Sequence, residues 1–281
     1  MSSALRSATL ILLKDGSGNE SDPLVLLLKR STKSRTLPGV FVFPGGLEEV
    51  GDEKILESTW AKGHSEIIDN HWDQWGIETE QLAQRSLGTA LRETLEECGL
   101  KVPLLLANHS QLHLVAHWLT PFALKRRYNT YFWAGVIQDE TMDLVVDGVE
   151  ISEARWWRPR MAVSAYESGE IDLAVPTLMI LMEMSTVLSR SEHIKSWDLL
   201  RHFADSPTQK AIQPIISKTN GLKLYLPSDP LYQDLASHGE IEAIPSRDFW
   251  QSDLNHLRQI IVKKESDDQE VKRWQRVCAT K

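Results

Sequence analysis

A short segment near the middle of the chain, residues 92–100, constrains the fold more than any other part of the sequence. It reads Arg-Glu-Thr-Leu-Glu-Glu-Cys-Gly-Leu. Apolar residues before and within it recur at helical spacing, at Leu87, Leu91, Leu95 and Cys98. Gly99 then follows, as glycine does at the end of many helices. The sequence therefore predicts an amphipathic helix at Leu82–Cys98.

The polar face of this helix carries three acids. Glu93, Glu96 and Glu97 stand at i, i+3 and i+4, so their carboxylates share one side of the helix. Only Arg92 is close enough in sequence to offset their repulsion. A hard divalent cation, which prefers oxygen ligands, would relieve it. The residues alone leave two interpretations open, a solvated acidic face, which is the simpler one, and a metal site.

The rest of the chain predicts a mixture of strands and helices. Runs of apolar, β-prone residues predict strands at Ala8–Leu13, Leu24–Lys29, Val40–Phe43, Leu112–Trp118, Thr130–Ile137, Glu153–Arg158 and Leu222–Leu226. Further helices are expected at Met161–Ser168, Val175–Leu188, Ile194–Ala204 and Phe249–Lys264. Pro44-Gly45-Gly46 predicts a sharp turn. One dominant sheet with helices around it places the chain in the α/β (α+β) class.

Composition excludes several functional classes. Two cysteines among 281 residues indicate a reducing, intracellular location rather than a disulfide framework. No apolar run approaches the roughly 18 residues needed to cross a bilayer, so no membrane association is expected. The net charge of −8 argues against a stable complex with nucleic acid. The chain shows no clear targeting signal and ends in Cys-Ala-Thr-Lys, so the cytoplasm is the default expectation.

Residues upstream of the acidic helix complete a longer pattern. Gly46 is followed five residues later by Asp52, and a 39-residue spacer, 53–91, then leads into the Arg92 segment. This arrangement resembles the Nudix box, G-x5-E-x7-R-E-U-x-E-E-x-G-U with U apolar. Asp52 stands where the family has Glu, Thr94 stands at an apolar position, and the spacer is much longer than seven residues.

The resemblance implies a Nudix α/β/α sandwich with a long insertion inside the box. It places a Nudix domain at 1–175, an insertion at about 53–85, and a mainly helical C-terminal extension at 176–281 packed on that domain. The tryptophans in the spacer predict that the insertion is packed, because large aromatic side chains bury much area.

The same resemblance implies the roles of individual residues. Glu93, Glu96 and Glu97, with the Gly46 carbonyl, would bind Mg²⁺ or Mn²⁺. Glu93 or Glu96, or a water that they hold, would act as the base, and Arg92 would orient a carboxylate. Divalent ions neutralise phosphoryl oxygens and make water nucleophilic, which is the chemistry of a diphosphatase.

A second pattern lies just before the box, at 26–46. It is similar to the coenzyme A diphosphatase branch of the Nudix family, LLTxR[S/A]xxxRxxxGxxxFPGG, with Leu28 in place of Thr. The resemblance implies a substrate-binding set made of Arg30, Ser31, Arg35 and Gly45. Coenzyme A carries a 3′-phosphate, and guanidinium groups bind phosphate well. A solvated basic loop is the alternative interpretation, mainly for Lys29 and Lys33.

Further segments resemble the long-insert Nudix type 19 acyl-CoA diphosphatases. They are 117–121, 126–133, 153–157 and 224–229. The resemblance implies hydrolysis of coenzyme A or acyl-CoA, a small-molecule substrate, to 3′,5′-ADP and 4′-phosphopantetheine or its acylated form. It also brings the peroxisome and the mitochondrion into consideration. Two alternatives stay open: another nucleoside diphosphate derivative (ADP-ribose, a dinucleotide or an RNA cap), or an inactive CoA-binding Nudix module, which Asp52 alone favours.

Overall fold

A computed structural model describes residues 4–16, 22–34, 36–57, 71–106, 111–122, 124, 126–138, 143–190, 193–205, 211–217 and 223–227. The chain divides into two compact units. The larger comprises Arg6–His117 and Thr130–Lys210, and the smaller comprises the remaining described residues. Among the described residues, no helix is long and apolar enough to cross a bilayer.

Within the described residues, seven strands form one sheet. They are β1 (Leu5–Lys14), β2 (Leu24–Arg30), β3 (Phe41–Val42), β4 (Gly45–Leu47), β5 (His113–Leu119), β6 (Tyr128–Val136) and β7 (Ile151–Trp157). The order across the sheet is β3-β2-β1-β6-β5, while β4 pairs with β1 and β7 pairs with β2, both antiparallel. A separate antiparallel pair, β8 (Ile215–Ser217) and β9 (Lys223–Tyr225), lies in the smaller unit.

Four α-helices lie in the described part of the larger unit. They are α1 (Glu80–Cys98), α2 (Pro159–Glu167), α3 (Val175–Arg190) and α4 (Ser196–Ala204). Helix α1 begins where the Thr79 hydroxyl accepts a hydrogen bond from the Leu82 amide at 3.3 Å. It ends at Gly99, which adopts a φ of 78° that favours glycine. Short 3₁₀ helices precede and follow it, at Asp52–Glu57, Trp72–Trp75 and Val102–Leu104.

Helix α1 packs its apolar face on a core shared with the central strands. Leu87 and Leu91 are fully buried there with Trp133 of β6, whose indole nitrogen donates to the Ser86 hydroxyl at 3.0 Å. Trp75, from the end of the spacer, is 5% exposed and belongs to the same core. The end of the spacer thus packs against the main core, whereas Trp60 lies outside the described residues.

The α/β (α+β) class predicted from sequence is confirmed, with element ends shifted by at most three residues. The predicted sharp turn at 44–46 was wrong in part, because Gly45–Leu47 forms strand β4 and pairs with β1. The strand β8 was missed. The helix at 249–264 lies outside the described residues. The division into 1–175 and 176–281 and the extent of the insertion stay predictions.

Candidate active site

Arg92 joins the loop at 47–52 to the acidic face of α1. Its Nε donates to Asp52 Oδ1 at 2.8 Å, and one terminal nitrogen donates to the Leu47 carbonyl at 3.0 Å. Its other terminal nitrogen donates to Glu93 at 2.9 Å and to Glu96 at 3.1 Å. These bonds to carboxylates raise the pKa of the guanidinium even though burial opposes the charge. Arg92 therefore stays charged and ties four groups together.

Asp52 is the buried anchor of the loop. It is 3% exposed and accepts hydrogen bonds from the Thr89 hydroxyl at 2.6 Å, the Glu49 amide at 2.9 Å and Arg92. Burial alone would raise the pKa of this carboxyl, but the bonds from Arg92 and Thr89 hold it below its ordinary value. Asp52 thus fills the place of the longer glutamate expected from the family pattern.

A glycine in α1 allows the loop to approach this closely. A methyl group built on Gly88 would collide with the Asp52 carbonyl oxygen and lie 2.7 Å from its carbonyl carbon. The backbone of Asp52 therefore rests directly on the helix at a point where no side chain fits. Sequence reasoning did not single out Gly88, because a glycine inside a helix carries no such signal without the packing partner.

Glu93 lies against the first glycine of the box. A Cβ added to Gly46 would overlap the Glu93 carboxylate, whose Oε2 would be only 2.8 Å away. Burial raises the pKa of Glu93, and the neighbouring Arg92 opposes that shift. Glu96 is on the more open side of the group, with 58% of its side chain exposed. The structure therefore brings Gly46, Glu93 and Glu96 together around Arg92.

Glu97 is the most deeply buried acid of the face, at 7% exposure. It accepts a hydrogen bond from the Gly45 amide at 3.0 Å. Desolvation raises its pKa to about 8, although the Gly45 bond and the positive charge of Arg30 act in the opposite direction. Burial therefore disfavours the ionised form of Glu97, and a bound cation would stabilise that form.

The basic segment that begins at Arg30, at the end of β2, is the next part of the candidate site. Arg30 donates to the Thr36 carbonyl and to the Ser34 hydroxyl, both at 2.9 Å, so part of its guanidinium shapes the loop that follows β2. Ser31 is buried, and its hydroxyl accepts from the Lys33 amide at 3.3 Å. Arg35 lies outside the described residues. Of the predicted substrate-binding set, Gly45 is hydrogen-bonded to Glu97, and the charge of Arg30 acts on Glu97.

The loop before β7 carries Glu150, which by sequence is either a surface acid, the simpler interpretation, or an added metal ligand. Glu150 acts electrostatically on Glu97 and raises its pKa. The amide of Ser31 donates to the Glu150 carbonyl at 2.8 Å, which holds this loop against the basic segment. The antiparallel pairing of β2 with β7 brings this loop to the basic segment, although the two are distant in sequence.

The acids of α1 fit a divalent cation by chemical type, since carboxylate and carbonyl oxygens are hard ligands. In the part of the chain that the structure describes, however, no three acidic, histidine or cysteine side chains are arranged as a ready metal centre. Arg92 engages Glu93 and Glu96 instead. Metal binding would therefore require these side chains to turn from Arg92 toward Glu97 and the Gly46 carbonyl.

Two other box residues on α1 serve packing. Thr94, at the expected apolar position, is fully buried, and its hydroxyl donates to the Ala90 carbonyl at 2.7 Å. That bond satisfies the hydroxyl within the helix. Cys98 is a buried free thiol whose pKa burial raises to about 12. Cys98 is therefore part of the core.

Known proteins resemble the chain in sequence and in fold. No family model matches the sequence. The chain is 27% identical over 245 residues to a Caenorhabditis elegans protein named nudix hydrolase 7, covering 83% of this chain and 77% of that one. An alignment of 288 residues with acyl-coenzyme A diphosphatase NUDT19 of Xenopus laevis is 25% identical and covers 77% and 73%.

A solved structure shares the fold. The crystal structure of a NUDIX hydrolase from Alicyclobacillus acidocaldarius superposes with a TM-score of 0.50 at 21% identity, covering 65% of this chain and 91% of that one. The chain therefore has the Nudix fold, and it is similar in sequence to proteins named as a nudix hydrolase and an acyl-coenzyme A diphosphatase.

Proposed function

We propose that this chain hydrolyses the diphosphate of coenzyme A or an acyl-CoA, releasing 3′,5′-ADP and 4′-phosphopantetheine or its acylated form. The observation that carries the proposal is the position of Arg30 within electrostatic reach of Glu97, next to the acids of α1. The cation of Arg30, close to acids that would bind a metal ion, suits a substrate that has a diphosphate and a further phosphate. The similarity to the frog acyl-coenzyme A diphosphatase supports this substrate class.

The proposed site assigns a task to each residue. Glu93, Glu96 and Glu97, with the Gly46 carbonyl, would hold Mg²⁺ or Mn²⁺, which supplies charge neutralisation at the phosphoryl oxygens and an acidified water. Arg92 would keep Glu93 in place through its anchor on Asp52. Glu93 or Glu96 would accept the proton of the attacking water. Arg30, Arg35, Ser31 and the Gly45 backbone would contact the anionic groups of the substrate.

The first experiment is product analysis with purified protein and Mn²⁺, offered coenzyme A, acetyl-CoA, dephospho-CoA and ADP-ribose in parallel. We expect 3′,5′-ADP from the first two substrates and slower cleavage of dephospho-CoA, which lacks the 3′-phosphate. Cleavage of ADP-ribose alone would keep the diphosphatase chemistry and exclude the proposed substrate. Equal rates on coenzyme A and dephospho-CoA would contradict a role for Arg30 or Arg35 at the 3′-phosphate.

A substitution in α1 tests the acids. Glu96→Gln should lower kcat/KM by about 100-fold, because it removes a charged metal ligand without changing the shape of the side chain. Glu80→Gln is the matched control, since Glu80 is exposed in the first turn of the same helix. Unchanged turnover in Glu96→Gln would remove Glu96 from the mechanism. Tight binding of coenzyme A by the wild type without any product would instead indicate a binding module.

A further inference from the structure

The segment 143–150, which precedes β7, is attached to two parts of the site. At one end the Val145 amide donates to the Cys98 carbonyl at 3.1 Å, at the C-terminal end of α1. At the other end the Glu150 carbonyl accepts from the Ser31 amide at 2.8 Å, next to Arg30. The segment therefore connects the acidic helix to the basic loop.

The side chain of Asp147 holds the end of this segment through hydrogen bonds from its backbone. Its Oδ1 accepts hydrogen bonds from three successive backbone amides, those of Val149 at 3.0 Å, Glu150 at 3.1 Å and Ile151 at 3.1 Å. The hydrogen bond from the Ile151 amide has the largest effect and, together with the bonds from the Val149 and Glu150 amides, lowers the pKa of the Asp147 carboxyl. Gly148, with a φ of 69°, allows the chain to fold back so that its amide reaches the Ile151 carbonyl at 3.1 Å.

The amides bound by Asp147 lie where β7 begins beside β2. Ile151 is paired with Arg30, and the register of the two strands shifts between Lys29 and Arg30. The irregularity interrupts the β2–β7 ladder at Arg30, so the neighbouring turn holds this side of the residue, while backbone bonds with Val40 and Gly39 hold its other side. Arg30, at the end of β2, and Glu150, just before β7, both act electrostatically on Glu97.

We propose that Asp147 is a positioning residue of the diphosphatase site. By holding the 149–151 backbone, it keeps Glu150 in place and, through the bond from Ser31 to the Glu150 carbonyl, fixes the end of β2 that carries Arg30. Its functional readout rests on the proposed function. The groups that it aligns are those proposed to face the substrate, rather than the acids of α1. Loss of Asp147 should therefore weaken substrate binding more than it slows the chemical step.

The experiment compares Asp147→Ala, Asp147→Asn and Asp143→Ala with the wild type, using coenzyme A and Mn²⁺. Asp147→Ala should raise KM by about 10-fold while kcat stays within about 3-fold. Asp147→Asn should keep KM within about 3-fold, because the amide oxygen still accepts from the same backbone N–H groups. Asp143→Ala, a charge control on the same segment that is also exposed, should match the wild type.

Hydrogen exchange supplies a second measurement that does not need activity. The amides of Ser31, Glu150 and Ile151 should exchange about 10-fold faster in Asp147→Ala and at the wild-type rate in Asp147→Asn. If the wild type does not cleave coenzyme A, the proposed function fails, and faster exchange of Ser31 still supports positioning by Asp147.

Three results would overturn the proposal. The first is a KM for Asp147→Ala equal to that of Asp143→Ala. The second is equal impairment of Asp147→Ala and Asp147→Asn, which would show that charge matters and hydrogen bonding does not. The third is wild-type exchange of the Ser31 amide in Asp147→Ala.

Discussion

Replacing Gly88 by alanine tests how the loop at 47–52 is seated on α1. In an ordinary helix interior, this change stabilises a protein by about 1 kcal/mol, because alanine loses less backbone entropy than glycine on folding. Here the new methyl would lie 2.7 Å from the Asp52 carbonyl carbon, with the carbonyl oxygen closer still. A normal carbon–carbon contact is about 3.5–4.0 Å, so the loop must retreat by about 1 Å.

That retreat acts on the hydrogen bonds of Asp52. Thr89 donates to it at 2.6 Å and Arg92 at 2.8 and 3.2 Å, so a shift of this size breaks or weakens at least one of these bonds. A hydrogen bond to a charged group contributes about 1.5–3 kcal/mol, and overpacking costs a similar amount. After the gain in helix propensity is subtracted, we expect Gly88→Ala to lower the free energy of unfolding by about 2 kcal/mol.

The assay is urea unfolding followed by circular dichroism, with kcat/KM measured on the same samples. Gln81→Ala, an exposed change in the first turn of α1, serves as the control and should stay within about 0.5 kcal/mol of the wild type. Activity should fall in Gly88→Ala, because Arg92 would follow Asp52 away from Glu93. A Gly88→Ala protein that is more stable than the wild type and fully active would refute the reasoning.

Two further predictions concern titration and reactivity. The folded-state pKa of Asp52 is lowered, so its contribution to stability is present above the ordinary aspartate pKa and is lost as the pH falls through the folded value. Asp52→Asn should therefore flatten the acid limb of a stability-against-pH curve, and an unchanged limb would contradict the assignment. The Cys98 thiol, with a pKa raised to about 12, should not react with a disulfide reagent at pH 8 until the protein is unfolded. Fast labelling of a native Cys278→Ser variant, in which Cys98 is the remaining cysteine, would show that α1 opens locally.

Much of the fold could be predicted from the sequence because it depends on local patterns. The apolar spacing of α1 and the glycine at its end are short-range signals, and both ends of the helix were placed within two residues. The strands on either side of the core are continuous apolar runs and were equally readable. Strand β4 was not, because two glycines carry no β-propensity and the strand exists only through its pairing with β1.

The acidic face of the candidate site was also predictable, since helical spacing alone puts Glu93, Glu96 and Glu97 together. What the spacing did not predict is the anchor that joins Asp52 to Arg92 across a long spacer. The family pattern indicated that the two belong together. Only the packing of Asp52 on Gly88 explains how a shorter acid reaches the guanidinium.

The sequence by itself determined which groups α1 presents and where the helix stops, because those properties follow from residue type and a 3.6-residue period. Tertiary structure decided the environment of each acid. Glu96 faces outward and Glu97 is buried, although they are adjacent on one face, because the loop at Gly45 covers only the second. It also brought Arg30 and Glu150 together, where both act on the charge of Glu97, since antiparallel pairing joins strands that are more than a hundred residues apart.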